Sequence, residues 1–260
     1  MTFDTISVMR RSTAVWIAFN RPEVLNAINS QCVAESLTAL RQAETDPDVR
    51  AIVFTGSGER AFTAGADIRE LRGFGQHDIV QYNRGWLDFF RRIEMCRKPV
   101  VAAVNGWAMG GGTELSLACD FVICSTSARF GLAEINIGVI PGAGAAVRAT
   151  RWLGRLRAKE LVMLGRPLSG MEAVEWQMAN LCVPDDQLKT VVDEFVTSLA
   201  GKAPLALAAA KMSINVGAEA PYDVALEYEL QEFAGLFATA DREEGMSAFL
   251  EKRKPKFTGR

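Results

Sequence analysis

Histidine is nearly absent from this chain of 260 residues; His77 is the only one. A zinc site built on several imidazoles therefore lacks its ligands, and a Ser-His-Asp triad would have to run through His77. No Gly-x-Ser-x-Gly elbow is present to carry the serine of such a triad. The five cysteines (Cys32, Cys96, Cys119, Cys124, Cys182) are odd in number and contain no Cys-x-x-Cys spacing. They read as free thiols in a reducing compartment. A basic excess is also missing: 29 Lys and Arg stand against 31 Asp and Glu, for a net charge of −2, so a phosphate-gripping nucleic-acid surface is not expected. No apolar run approaches the ~20 residues that span a bilayer. Met1–Arg10 reads as an immediate strand containing Asp4, so no leader segment and no membrane partner are expected, and the sequence points to the cytoplasm.

What is present is ordinary globular material. Hydrophobic residues make up 49% and charged residues 23%. The length is large for one average domain and small for two. The first half alternates strand and helix signals. Ile6–Met9, Val15–Phe19, Ala51–Phe54, Val100–Val104 and Phe121–Cys124 are short apolar or β-branched runs. Between them, a helix capped by Asn29 or Ser30 ends at Asp46-Pro47, and another is expected over Ile79–Met95. Gly56 to Gly65 reads as a glycine-rich loop, and from about Ala145 onward helical periodicity dominates. The expected architecture is α/β, with residues 1–200 as the core and residues 201–260 as a helical carboxyl-terminal region.

Two loops could cradle a ligand. Gly56-Ser57-Gly58-Glu59-Arg60-Ala61 formally fits the dinucleotide pattern Gly-x-Gly-x-x-Gly/Ala. That pattern needs a helix opening on its third position; Phe62-Thr63-Ala64-Gly65 follows instead, and a surface turn is the better reading. Gly110-Gly111-Gly112-Thr113-Glu114 is more informative, because it stands between a buried strand and a helix. Glycines there let the backbone approach a ligand, and the unpaired N–H groups of the helix start can stabilise a developing anion. Glu114 lies in the first turn, where the helix dipole favours its ionised form. Glu134 sits among apolar residues, which either makes it structural or raises its proton affinity. Ile140-Pro141-Gly142-Ala143-Gly144 presents further backbone donors. Two glutamates with two sets of N–H groups suit acid–base chemistry on a carbonyl compound.

Four motifs together resemble the enoyl-CoA hydratase, or crotonase, family. They are Ala61 to Ile68 (AFTAGADI); Pro99 to Gly106 leading into Gly110 to Leu115; Phe130 to Gly138 with Ile140 to Gly144; and the tail from Asp241 to Lys254. The resemblance implies a crotonase-like spiral of repeated ββα units. It also implies a helical carboxyl-terminal region that builds a homotrimer or a homohexamer, and an acyl-CoA thioester as substrate, coenzyme A being part of that substrate and no further cofactor needed. By position, the N–H groups of Ala66 and Gly111 form the oxyanion hole. Glu114 activates the water that adds to Cβ, Glu134 delivers the proton to Cα, and the Gly142 N–H helps hold the water. The resemblance further implies that Ala64, Asp67 and Ile68 meet the adenine and pantetheine through backbone atoms. Arg69, Phe249 and Lys252 are candidate contacts to the CoA, and Trp86, Leu87 and Phe90 are candidates for the acyl pocket.

Both glutamates are present, which favours hydration of a trans-2-enoyl-CoA. An isomerase or a dehydratase acting on a carnitinyl-CoA-like ester is the alternative on the same fold, and a non-catalytic CoA- or RNA-binding member is the alternative of another class. Leu132-Ala133 and Ala145-Ala146 depart from the commoner hydratase pairs, which leaves acyl specificity open.

Overall fold

The computed structural model describes residues 3–260; Met1 and Thr2, part of the expected amino-terminal strand, lie outside them. That strand is β1 (Ile6–Arg11), and it pairs antiparallel with β2 (Ala14–Phe19). A six-stranded sheet continues in parallel through β3 (Ala51–Gly56), β5 (Val100–Val104), β7 (Phe121–Ser125) and β10 (Leu181–Val183). A second sheet of four short strands runs in the order β4 (Ala61–Thr63), β6 (Trp107–Met109), β8 (Arg129–Gly131) and β9 (Leu168–Ser169). Its first three strands are mutually parallel. The glycine-rich segment 56–65, expected as plain loop, thus contains a strand. Three residues are too few to show a period of two, so the sequence carries no signal for it.

Alternation along β2 explains how the large sheet is covered. Val15, Ile17 and Phe19 face a core shared with α1 (Ser30–Thr45), α3 (Gln76–Glu94) and the second sheet. Ala14 and Trp16 point the other way, onto Leu188, Val192 and Val196 of α7 (Leu188–Ala200). In β5 every residue is buried, as expected of a parallel strand covered on both faces. Phe19, Phe54, Phe62 and Phe89 form a chain of edge-on and stacked rings at 5.7–6.1 Å that joins the two sheets to α3. Asn29 caps α1, its side chain accepting from the Cys32 N–H at 2.9 Å.

The remaining helices are α2 (Ile68–Leu71), α4 (Gly111–Ala118), α5 (Ala145–Leu164), α6 (Gly170–Glu175), α8 (Pro204–Gly217), α9 (Tyr222–Leu236) and α10 (Ala240–Leu250). α5 begins at Ala145, where helical periodicity was expected to take over, and breaks at Gly154 (φ 78°, ψ 164°). No helix among the described residues is long and apolar enough to cross a membrane.

A buried ion pair fastens α8 to the core. Lys211 Nζ donates to Asp120 Oδ2 at 2.7 Å and to the Ile93 carbonyl at 2.8 Å, with the two side chains only 8% and 16% exposed. Burial pushes the Asp120 carboxyl up despite this partner. Lys211→Met strands that carboxylate, and a loss of about 3–5 kcal/mol is expected at neutral pH. Chemical denaturation reads it, and the loss should shrink as acid protonates Asp120, since a neutral carboxyl needs no counter-charge.

Candidate active site

The second sheet positions the site. β4, β6 and β8 run parallel, so the chain leaves all three at the same edge. β4 runs into Ala64-Gly65-Ala66, β6 into Gly110 and α4, and β8 into Leu132-Ala133 and a 3-10 turn at Glu134–Ile137. Thr113 ties two of these ends together. Its hydroxyl donates to the Ala108 carbonyl at 2.6 Å and accepts from the Gly131 N–H at 3.0 Å. The Gly110 N–H adds a bond to the Gly131 carbonyl at 2.8 Å.

Glu114 is buried in the first turn of α4. Its Oε1 accepts from the N–H groups of Ala143 at 2.9 Å and Ala145 at 3.1 Å. Its pKa is nonetheless raised to about 7, chiefly by burial and in smaller part by the charge of Glu134. A first-turn position implies an easily ionised acid, and the structure corrects that expectation. Desolvation of a charge outweighs a dipole contribution of about 1 kcal/mol and two N–H bonds. A carboxyl that exchanges its proton near neutrality is the result.

Glu134 opens the 3-10 turn. Its Oε2 is buried with no hydrogen-bond partner, and burial raises its proton affinity too. Oε1 lies over Gly110, close enough that a Cβ there would sit 2.9 Å away. Glu134 therefore stands over the loop that opens the helix of Glu114, and neither carboxyl has a cationic ion-pair partner within 4.0 Å among the described residues.

Among the described residues, two N–H groups are left without acceptors in this space. Gly111 begins α4, so its N–H has no intrahelical partner. Ala66 bridges to Ile28, but the bonds of that bridge use the carbonyl of Gly65 and the N–H of Asp67, leaving the Ala66 N–H unused. The segments touch at Gly65: a Cβ there would stand 2.9 Å from the Gly111 nitrogen.

One face of α3 closes the arrangement. Trp86 packs against Gly111, Leu87 against Gly144, and Asn83 against Gly142. Phe90 is fully buried beneath them, against Trp86 and Phe89. Of the residues expected to line an acyl pocket, Trp86 and Leu87 thus meet the glycines of the site, whereas Phe90 belongs to the layer behind. Asn83 was not anticipated. The positions 83, 86, 87 and 90 follow helical spacing, and that pattern alone could have flagged a polar residue on the inner stripe.

A family model described as enoyl-CoA hydratase/isomerase matches residues 10–260. The chain belongs to that family. A Mycobacterium bovis protein bearing the description probable enoyl-CoA hydratase is 40% identical, with both chains covered completely. A short-chain-enoyl-CoA hydratase of Clostridium acetobutylicum is 35% identical over 98% of this chain and 97% of its own. The crystal structure of an enoyl-CoA hydratase from Bacillus anthracis superposes with a TM-score of 0.95 at 37% identity, covering 99% of this chain and all of its own. The fold is therefore the crotonase fold, as the motifs implied.

The other residues singled out for the family's substrate sit further out. Ala64 donates its N–H to the Leu25 carbonyl at 2.9 Å. Asp67 caps α2, accepting from the Arg69 N–H at 3.2 Å, and pairs with Arg21 at 3.0 Å. Its side chain is thus committed to structure. Ile68 and Arg69 are exposed on α2, and Phe249 and Lys252 are exposed at the end of α10. Among the described residues, no hydrogen bond or ion pair ties these four side chains to the loops around Glu114 and Glu134.

Proposed function

We propose that this chain is an enoyl-CoA hydratase acting on trans-2-enoyl-CoA thioesters. The observation that carries the reading is the pair Glu114 and Glu134, close enough for the charge of one to raise the proton affinity of the other, beside two unused N–H groups. In the hydration direction the thioester oxygen sits between the N–H groups of Ala66 and Gly111. Ionised Glu114 takes a proton from water, whose oxygen bonds to Cβ as the Cα=Cβ π pair moves toward the carbonyl. The negative charge gathers on the thioester oxygen, where two fixed donors are most effective. Glu134 then gives its proton to Cα, and the product is a 3-hydroxyacyl-CoA. Dehydration runs the same steps backward. The Gly142 N–H, one residue before the Glu114-binding turn, helps hold the water.

The names of the relatives support the same substrate class, since two of them are described as enoyl-CoA and short-chain-enoyl-CoA hydratases. The test is to add purified protein to crotonyl-CoA and follow the ultraviolet band of the conjugated enoyl thioester. Rapid loss of the band with formation of 3-hydroxybutyryl-CoA is expected. Conversion of a 3-enoyl ester to the conjugated isomer, without net hydration, would overturn the reading in favour of an isomerase.

The same reading includes self-association as a homotrimer or homohexamer. What supports it is α9, which buries none of its residues and exposes Val224, Leu226, Leu230 and Phe233. Such a concentration of exposed apolar side chains is unusual on a monomer. Light scattering should return a mass of three or six chains, and a monomer at micromolar concentration would exclude the assembly.

A further inference from the structure

The turn that grips Glu114 is itself gripped from behind. The N–H groups of Ala143 and Ala145 point at Glu114 Oε1. On the other side, Arg148 Nη1 donates to the Ala143 carbonyl at 2.8 Å, and the Arg148 backbone N–H donates to the Gly144 carbonyl at 2.9 Å. The guanidinium also presses on the Gly144 backbone, where a Cβ would meet Nη1 at 2.5 Å. Arg148 in turn has little freedom. Its Nε meets Glu94 Oε1 at 2.5 Å, and its guanidinium lies over the Phe90 ring at 5.6 Å from the centroid. The side chain is 14% exposed. Asn215 Nδ2 holds the Glu94 carbonyl at 2.9 Å, so the carboxyl end of α3 is fixed from α8 as well.

We propose that Arg148, anchored by Glu94 and seated on Phe90, is a positioning residue that holds the 143–145 turn so that its two N–H groups aim and stabilise the Glu114 carboxylate. The inference rests on Glu114 being the base of the hydration reaction. A guanidinium suits the task because its planar fork donates to a carbonyl and a carboxylate at once and stacks on a ring, which an ammonium does not. A misplacement of about 1 Å at a catalytic group can lower a rate by ~10², and Arg148 is the side chain that bonds this turn through its Ala143 carbonyl.

Arg148 also sets part of the charge around Glu114. Glu134, from the 3-10 turn, raises the proton affinity of Glu114, and Arg148, from α5, lowers it. Glu94, from α3, stands behind Arg148 and partly offsets it. β4 and β6 carry no ionisable side chain, and Arg129 of β8 is occupied by the carbonyls of Thr126 and Ala128. Removing the guanidinium therefore leaves Glu114 facing burial and Glu134 with no positive charge close by.

The test compares Arg148→Gln, Arg148→Lys and Glu94→Gln with the wild type, in kcat, KM and the pH dependence of kcat/KM on crotonyl-CoA. Arg148→Gln is expected to lower kcat at neutral pH by ~10–100-fold with KM within threefold, and to move the acid limb of the profile to higher pH. Arg148→Lys should return the limb toward its wild-type position while recovering only part of kcat, because the charge is restored without the fork. Glu94→Gln should lower kcat and leave the limb at or below its original pH. A purely structural role would lower the folded fraction, seen by circular dichroism, and would scale activity without moving the limb. That outcome, or wild-type kcat and limb in folded Arg148→Gln, overturns the proposal. If Arg148→Gln does not fold, Arg148→Lys decides: wild-type kcat in that variant overturns it. Activity surviving in Glu114→Gln would instead overturn the assignment of the base, so the two failures are distinguishable.

Discussion

Replacing Glu114 by glutamine is expected to lower kcat/KM for crotonyl-CoA by ~10²–10⁴, the usual worth of a positioned base. Binding of a CoA ester should stay within a few-fold, because the amide oxygen can still accept from Ala143 and Ala145. The same substitution should stabilise the protein in alkaline solution. The folded-state pKa of Glu114 is about 7 against an ordinary value of 4.5, with burial the main cause. Between those values the native state binds more protons than the unfolded chain, so stability falls as pH rises through that window. The cost is absent below about 4.5 and complete above about 7, and at ~1.4 kcal/mol per pH unit it reaches about 3 kcal/mol. Glutamine carries no charge to desolvate. Thermal unfolding should therefore show the variant more stable than the wild type at pH 8 and level with it at pH 4. A variant that is both active and unchanged in its pH-dependent stability would refute the role assigned to this residue. The wild-type acid limb has the matching sign: Glu114 must be ionised to take a proton from water, so kcat/KM should rise with pH through about 7.

Gly65→Ala is expected to lower kcat by ~10²–10³, as for loss of an oxyanion-hole donor, although it deletes no functional group. Gly65 has φ +88°, and an added Cβ would meet the Met109 carbonyl oxygen at 2.6 Å and the Gly111 nitrogen at 2.9 Å. Both obstacles are backbone and cannot rotate away, so the 64–66 segment and the Gly111 N–H must separate. The left-handed conformation alone costs roughly 1–2 kcal/mol with a side chain present. Gly58→Ala supplies the control, with φ +78° and its nearest contact at an ordinary 3.8 Å. It should lose only the left-handed cost of roughly 1–2 kcal/mol in thermal unfolding while keeping its rate. Equal activity in the two variants would mean that the spacing of the Ala66 and Gly111 N–H groups does not govern the chemistry.

The long elements were legible from the chain and the short ones were not. Val100–Val104 is apolar throughout and flanked by Pro99 and Asn105, so strand β5 could be bounded to the residue. α1 announced itself through Asn29 at one end and Asp46-Pro47 at the other. Strands β4, β6, β8 and β9 have two or three residues each, and their identity comes from the partners they pair with rather than from local preference. The glutamates and the glycine loops could be named because their residue types are unusual where they stand. The proton affinity of Glu114 could not, because it depends on how much protein covers the carboxyl, and a helix start exposed to water would give the opposite sign. Arg148 was invisible for a related reason. Its partner Glu94 lies 54 residues earlier in the chain, and no spacing rule connects them.

The parallel run of β4, β6 and β8 makes the site a ruler. Each strand ends on a different working part: the Gly65-Ala66 turn, the Gly110-Glu114 helix start, and Glu134. One residue inserted within a strand would slide its part by ~3.3 Å and turn every later side chain to the opposite face. The same insertion in the loops that lead into these strands would be absorbed before the ruler begins. Changes of length in this chain should therefore be tolerated on the entry side of the small sheet and forbidden inside it, which makes an insertion scan of residues 57–60 against 61–66 a direct map of where the chemistry is measured out.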